Sequence, residues 1–162
     1  MKKIQLPDWP WQAVHRLAQE RGVRIWAVGG AVRDLLLSRP VHDWDFAVDP
    51  DALVLARAVG DALGGAYFPL DEERGTARVI LRTEQGPPME LDFARLRGGS
   101  LNADLAKRDF TINAMAVGEA GILIDPLGGH RHLIEGQIQA ASERAFRDDP
   151  IRLLRAARLE AE

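Results

Sequence analysis

Apolar residues recur at two different periods along the chain, and the switches between them mark out its elements. Residues 11–21 (WQAVHRLAQER) carry apolar positions at helical spacing, and Gly22 supplies a stop. Val23 to Val28 is a short apolar run that reads as a buried strand, followed by Gly29-Gly30 and a helix over AVRDLLL. Arg39-Pro40 breaks that helix, because proline disfavours helical geometry in the residue before it. Val41 to Val48 alternates with period two and reads as a strand. Asp51 to Leu63 returns to helical period and is closed by Gly64-Gly65. Two or three strands follow, over Ala66–Leu70, Thr76–Arg82 and Met89–Ala94. Residues 98–118 hold a loop and helical stretches around KRDFTINAMAV, and a small strand at Gly121–Ile124 precedes the turn DPLGG. Asp149-Pro150 opens a final helix, with proline at a tolerated first-turn position. Helices mixed with strands, without strict βαβα alternation, predict an α+β fold with a mixed sheet.

Composition narrows the class. A chain of 162 residues fits one domain, or one domain and the start of another; with 46% apolar and 28% charged residues it can bury a core. The absence of cysteine excludes disulfides and thiolate metal sites and suits a cytoplasmic location. No apolar run approaches the roughly 20 residues of a membrane span. The opening MKKIQLPDWPWQ has no apolar signal core, so no export signal is read. The net charge of −3 does not advertise a nucleic-acid binder. Binding needs only a local positive patch, however, and Arg147, Arg152, Arg155 and Arg158 supply one near the C-terminus. An ordinary solvated helix face explains those arginines equally well.

Candidate chemistry centres on HDWDFAV. Successive side chains of a strand point to opposite faces, so Asp43 and Asp45 share one face and Trp44 and Phe46 the other. Two carboxylates in adjacent same-face positions repel, and aspartate is disfavoured in strands; a divalent cation removes the repulsion. A second strand offers Glu90 and Asp92 with the same spacing. If the two strands are neighbours, three carboxylates surround one or two magnesium ions, which take hard oxygen ligands. Gly29-Gly30, between strand and helix, allows close approach of phosphate to backbone N–H groups, and Arg33 lies one turn further on.

With those residues in view, the chain resembles the class II tRNA nucleotidyltransferase and poly(A) polymerase family. GGAVRDLLL, HDWDF, DFARLR, DLAKRDFTINAMA, IDPLGG and DDPIRLLRAARL carry the resemblance in family order, from about Trp26 onward. It implies a polymerase-β-like palm over residues 1–136, with a mixed sheet flanked by helices, and the start of a helical neck over 137–162. It also implies a template-independent enzyme adding CMP or AMP from CTP or ATP to an RNA 3′ end, most naturally that of tRNA. The implied metal-binding acids are Asp43, Asp45 and Asp92, with Glu90 as the alternative third acid. Gly29, Gly30 and Arg33 match the triphosphate turn, and Arg108 and Asp109 match the ribose-reading segment. Asp149 and Arg152 match the pair that reads the incoming base, with Arg155 beside them. Such a pair, three residues apart on a helix, presents an acceptor and a donor together to a base edge; an intrahelical salt bridge is the plainer reading.

The pattern departs from the family in four places. Only Gly98-Gly99 separates Arg97 from Ser100, where CCA-adding members carry a longer loop, and this fits CC addition better. Lys107-Arg108-Asp109 and Asp148-Asp149-x-x-Arg152 stand for R-R-D and E-D-x-x-R; lysine keeps the charge but not the fork of arginine. The acid near His132 and the arginine near Gln139 are missing. Finally, the rest of the neck, the body and the tail that grip tRNA are absent from the sequence: either the chain is cut short or, if it is complete, another polypeptide or self-association supplies them, with Ile151, Leu154 and Leu159 as the expected docking face. Two other readings stand beside the main one: a nucleotidyltransferase acting on a small molecule or protein, and a non-catalytic nucleotide-binding subunit.

Overall fold

The structure, a computed structural model, describes residues 2–84 and 86–161, with the side chain of Asp148 outside that description. A seven-stranded mixed sheet runs β3-β4-β5-β2-β1-β6-β7. Its strands are β1 (Arg24–Val28), β2 (Asp43–Asp49), β3 (Ala66–Asp71), β4 (Thr76–Leu81), β5 (Met89–Arg95), β6 (Ala116–Val117) and β7 (Leu123–Ile124). β2 and β5 pair in parallel at the centre, and every other pairing is antiparallel.

Alternation decides which face is which. Trp44, Phe46 and Val48 of β2 and Leu91 and Phe93 of β5 point to one face, where they are at most 2% exposed. There they meet α1 (Ala13–Glu20) and α3 (Ala52–Leu63), which contribute Val14, Leu17, Leu55 and Val59. The Phe46 ring lies 5.9 Å from Trp44 and 5.1 Å from Phe93. Burying each such aromatic stabilises the fold by about 1.5–3 kcal/mol, enough to lock the β2–β5 register. α3 is held at both ends, by the Asp51 carboxylate accepting from Val54 N–H (3.1 Å) and by Gly64 in the left-handed conformation (φ 68°).

On the opposite face Ala47 and Val28 are covered by Leu105, Ala114 and Ala116. α2 (Gly30–Leu36), α4 (Leu101–Ala106) and α5 (Gly129–Ile134) flank this side, and two short helices, α6 (Ala145–Asp148) and α7 (Arg152–Ala161), follow. Several expectations shift. β6 falls where helical stretches were expected, because Ala116 and Val117 pair with β1 on one side and with β7 on the other. His15 stacks on Trp11 at 5.3 Å with its side chain 16% exposed. The final helix begins at Arg152, two residues beyond Pro150. Residues on both sides of position 136 are stitched together: Thr111 N–H donates to Gln139 O (2.9 Å) and Ala141 N–H to Asp109 O (2.9 Å).

Candidate cation and nucleotide site

The parallel register of β2 and β5 sets Asp43 beside Glu90 and Asp45 beside Asp92. All four carboxylates thus share the face opposite the aromatic core. A slip by one residue would turn them into the core and the aromatics out, so packing holds the acids together. β1 runs antiparallel to β2 with Val28 opposite Asp45, and the turn that follows β1 therefore lands on that carboxylate. Gly29 makes this turn at φ 69°, ψ −137°, a conformation reserved to glycine. A Cβ at this position would lie 2.9 Å from Asp45 Oδ2 and 3.0 Å from Arg108 Nη1. Glycine is required twice over.

Around these residues lies a cleft of about 650 Å³. Asp43, Asp45, Glu90 and Asp92 form its acidic wall, and Arg33, Arg108, Arg155 and Arg158 its basic wall. Gly29, Gly30 and Asp109 also line it. Of the residues expected at the site, only Asp149 and Arg152 are not brought to this cleft. Arg152 instead donates to the backbone oxygens of Ala145 (3.0 Å) and Lys107 (3.1 Å). Asp149, expected on the helix face, lies before α7 in extended backbone and accepts from Ile151 N–H at 3.1 Å. Proline at 150 imposes that extended conformation.

Electrostatics follow from this packing. Burial pushes the Asp45 carboxyl above the ordinary range; Arg108 opposes this, Asp92 reinforces it, and Arg155 and Asp43 pull in opposite directions. Asp104 goes the other way. Its burial also favours the neutral acid, but Arg97 (Nε to Oδ1, 2.8 Å) and Arg108 (Nη2 to Oδ2, 3.2 Å) outweigh it and hold the carboxyl below its usual value. Through this pair Asp104 ties the short Arg97–Gly99 turn to Arg108. Asp109, 6% exposed, accepts from Phe110 N–H and Asn113 Nδ2 through Oδ1. Its Oδ2 lies 2.9 Å from Arg155 Nη2, in an ion pair that lacks hydrogen-bond alignment. Arg33 donates to Asp34 and to Asn113.

Arg78, Asp104 and Asn113 had no assigned role in the sequence reading. Arg78 matters most. It sits directly across from Asp92 on β4 and grips it through two bonds, Nε to Oδ1 (2.7 Å) and Nη2 to Oδ2 (2.8 Å). Its Nη1 lies 2.6 Å from Glu90 Oε2. The signal available was a lone arginine on the outward face of an otherwise apolar alternation, TARVIL. Among the described residues, no three acidic or histidine side chains converge closely enough to hold a metal ion. The donor set is chemically suited to a hard divalent cation, but both acids of β5 are turned to Arg78. Among the described residues, no helix is long and apolar enough to cross a membrane.

Comparison with known proteins follows from this geometry. The family model for the poly A polymerase head domain matches residues 25–139. The CC-adding tRNA nucleotidyltransferase of Geobacter sulfurreducens is 51% identical over 146 residues, which are 90% of this chain and 33% of that protein. The A-adding tRNA nucleotidyltransferase of Deinococcus radiodurans is 47% identical over 131 residues, covering 81% of this chain and 29% of that protein. The structure of the Thermotoga maritima CCA-adding enzyme complexed with tRNA superposes with a TM-score of 0.82 at 36% identity, covering 93% of this chain and 36% of that one. The chain spans about a third of the length of the curated relatives it matches.

Proposed function

The chain belongs to the poly A polymerase head domain family of class II tRNA nucleotidyltransferases, and from that premise we propose that it carries the catalytic head of an enzyme adding nucleotides to the 3′ end of tRNA. The acceptor 3′-hydroxyl attacks the α-phosphorus of CTP or ATP; the new P–O bond forms as pyrophosphate leaves. No residue of the cleft need become covalently attached, so catalysis rests on positioning and charge neutralisation. Asp43, Asp45 and Asp92 are the residues that would hold magnesium, with Glu90 alongside. Magnesium bound there would neutralise charge on the attacking and leaving oxygens. Gly29 and Gly30 leave room for the triphosphate against the backbone, and Arg33 faces its charge from α2. Arg108 and Asp109 offer a donor and an acceptor to the ribose hydroxyls. Asp149 and Arg152 are proposed to read the base, which requires that Arg152 leave its two backbone oxygens when nucleotide binds.

The observation that carries this reading is the meeting of Asp45 and Asp92 at the Gly29 turn, opposite a wall of arginines. CC addition is the specificity we favour. The Arg97–Gly99 turn is short and tied down by Asp104, which leaves little freedom for a change of nucleotide during synthesis. A tRNA-end activity also implies a cytoplasmic location.

The test is transfer from labelled CTP or ATP, with magnesium, to tRNAs ending before, within and after CCA. We expect incorporation of C into tRNA lacking CCA, no A after CC, and none of either with Asp43→Ala or Asp45→Ala. Addition of A to a CC end would overturn the specificity. Full activity in Asp45→Ala would overturn the site.

A further inference from the structure

Arg78 is unusual for the company it keeps. Three of its guanidinium nitrogens are committed to the two acids of β5: Nε and Nη2 to Asp92, Nη1 to Glu90. Asp92 helps hold the guanidinium in its charged form, first through these hydrogen bonds and then through charge, against the cost of burial. Both oxygens of Asp92 accept from arginine, while Asp45 is its in-register neighbour on β2. Among the described residues, the four carboxylates on this sheet face do not converge into a ready metal site.

We propose that Arg78 is a built-in counter-ion of the cation site, a positioning residue that competes with the incoming cation for the carboxylates of Asp92 and Glu90. The proposal rests on the cation-site reading given above. It has two parts, a charge and a shape. As a charge, Arg78 offsets one of four negative charges and so weakens the attraction of a free divalent cation. As a shape, its planar fork fixes the plane of the Asp92 carboxylate, which an ammonium does not do. Cation binding then requires that Asp92 or Glu90 exchange a guanidinium N–H for the cation. A cation without nucleotide achieves this poorly; one that arrives with a triphosphate brings further ligands. The site is thereby kept from collecting free cations while Asp92 stays in place.

The test is Mn²⁺ binding in the absence of nucleotide, followed by electron paramagnetic resonance and by thermal melting of the chain. Removing a unit charge about 6 Å from a divalent ion in a largely aqueous cleft corresponds to about tenfold in affinity. Arg78→Met is therefore expected to bind Mn²⁺ about tenfold more tightly than the wild type and to gain more thermal stability from it. Arg78→Lys keeps the charge and is expected to bind as the wild type does, yet transfer nucleotide more slowly because Asp92 is no longer oriented. Asp45→Asn serves as the reference for the site itself. If Asp45→Asn binds Mn²⁺ like the wild type, the cation site is elsewhere and both readings fall. If Asp45→Asn loses binding but Arg78→Met shows no gain, the counter-ion proposal alone is overturned. If Arg78→Met folds only with Mn²⁺ present, the proposal is supported, since the cation replaces the lost guanidinium. If it stays unfolded with Mn²⁺, and Arg78→Gln folds but shows no gain in affinity or does not fold, Arg78 is a structural tie and the proposal is wrong.

Discussion

Replacing Asp45 with asparagine separates function from stability. In the folded chain the carboxylate is packed under the Gly29 turn, with Asp92 in register beside it and Asp43 two residues away on the same face. Burial, the largest effect, makes its charged form costly, and Arg108 and Arg155 offset this only in part. The sign follows from the raised folded-state value. Above that value the native state carries the cost of the charge in full. As pH falls below it, the native carboxyl takes up a proton and the cost shrinks, vanishing below the ordinary carboxylate value, the reverse of a salt-bridged aspartate. Neighbouring strands are about 4.8 Å apart, and like charges facing each other at such a spacing cost roughly 0.2–1 kcal/mol. Arg78 already neutralises part of Asp92, while burial adds to the penalty, so a total of about 1 kcal/mol is reasonable. For a chain of this size that corresponds to about 2–4 °C in Tm. Calorimetry in the presence of a chelator is therefore expected to give Asp45→Asn the higher Tm at neutral pH, an advantage that shrinks as pH falls below the raised value and is gone below the ordinary carboxylate range. An Asp45→Asn variant that melts lower than the wild type at neutral pH would refute the argument. It would mean that the carboxylate is a satisfied structural group, held there for the fold.

Other substitutions probe the frame around the acids. Gly29→Ala forces a Cβ onto Asp45 and Arg108 at a glycine-only conformation, and should cost about 1–3 kcal/mol by chemical denaturation. A shift of about 1 Å in Asp45 should also cost roughly a hundredfold in transfer rate. Asp104→Asn removes a buried charge that serves two arginines, and should destabilise by about 3 kcal/mol. Because the Asp104 carboxyl is held below its usual value, its contribution is present above the ordinary carboxylate range and is lost as pH falls through the lowered value. The urea midpoints of wild type and Asp104→Asn should therefore converge in acid. Asp51→Ala, which uncaps α3 on the far face of the sheet, should cost about 1 kcal/mol and leave transfer unchanged.

Local patterns carried much of this architecture, and long-range pairing carried the remainder. The D-x-D strand was legible because period two separates Asp43 and Asp45 from Trp44 and Phe46 whatever the strand pairs with. The meeting of Asp45 with Asp92 was legible only as a condition, since β2 and β5 are joined by a helix and two strands before they pair. Arg78 stayed silent for the same reason. Nothing near it in the sequence says that its cross-strand neighbour is Asp92. Ala116 and Val117 form too short a strand to impose a period, and their pairing with β1 is again non-local. Asp149 is a different case. Reading it with Arg152 as one helix face took Pro150 as a first-turn residue, whereas Pro150 holds Asp149 in extended backbone outside α7.

The central claim is that the acids at the Gly29 turn hold cations that in turn hold a triphosphate, and it is tested most directly by measuring CTP affinity with and without magnesium. Linkage requires that, if the two share a site, each strengthens the binding of the other. Calorimetric titration of the wild-type chain should show CTP binding that tightens when magnesium is added, and a folded Asp43→Ala/Asp45→Ala variant in which magnesium makes no difference. Equal CTP affinity in the wild type with and without magnesium, or magnesium-dependent binding that survives in the double variant, would contradict the account.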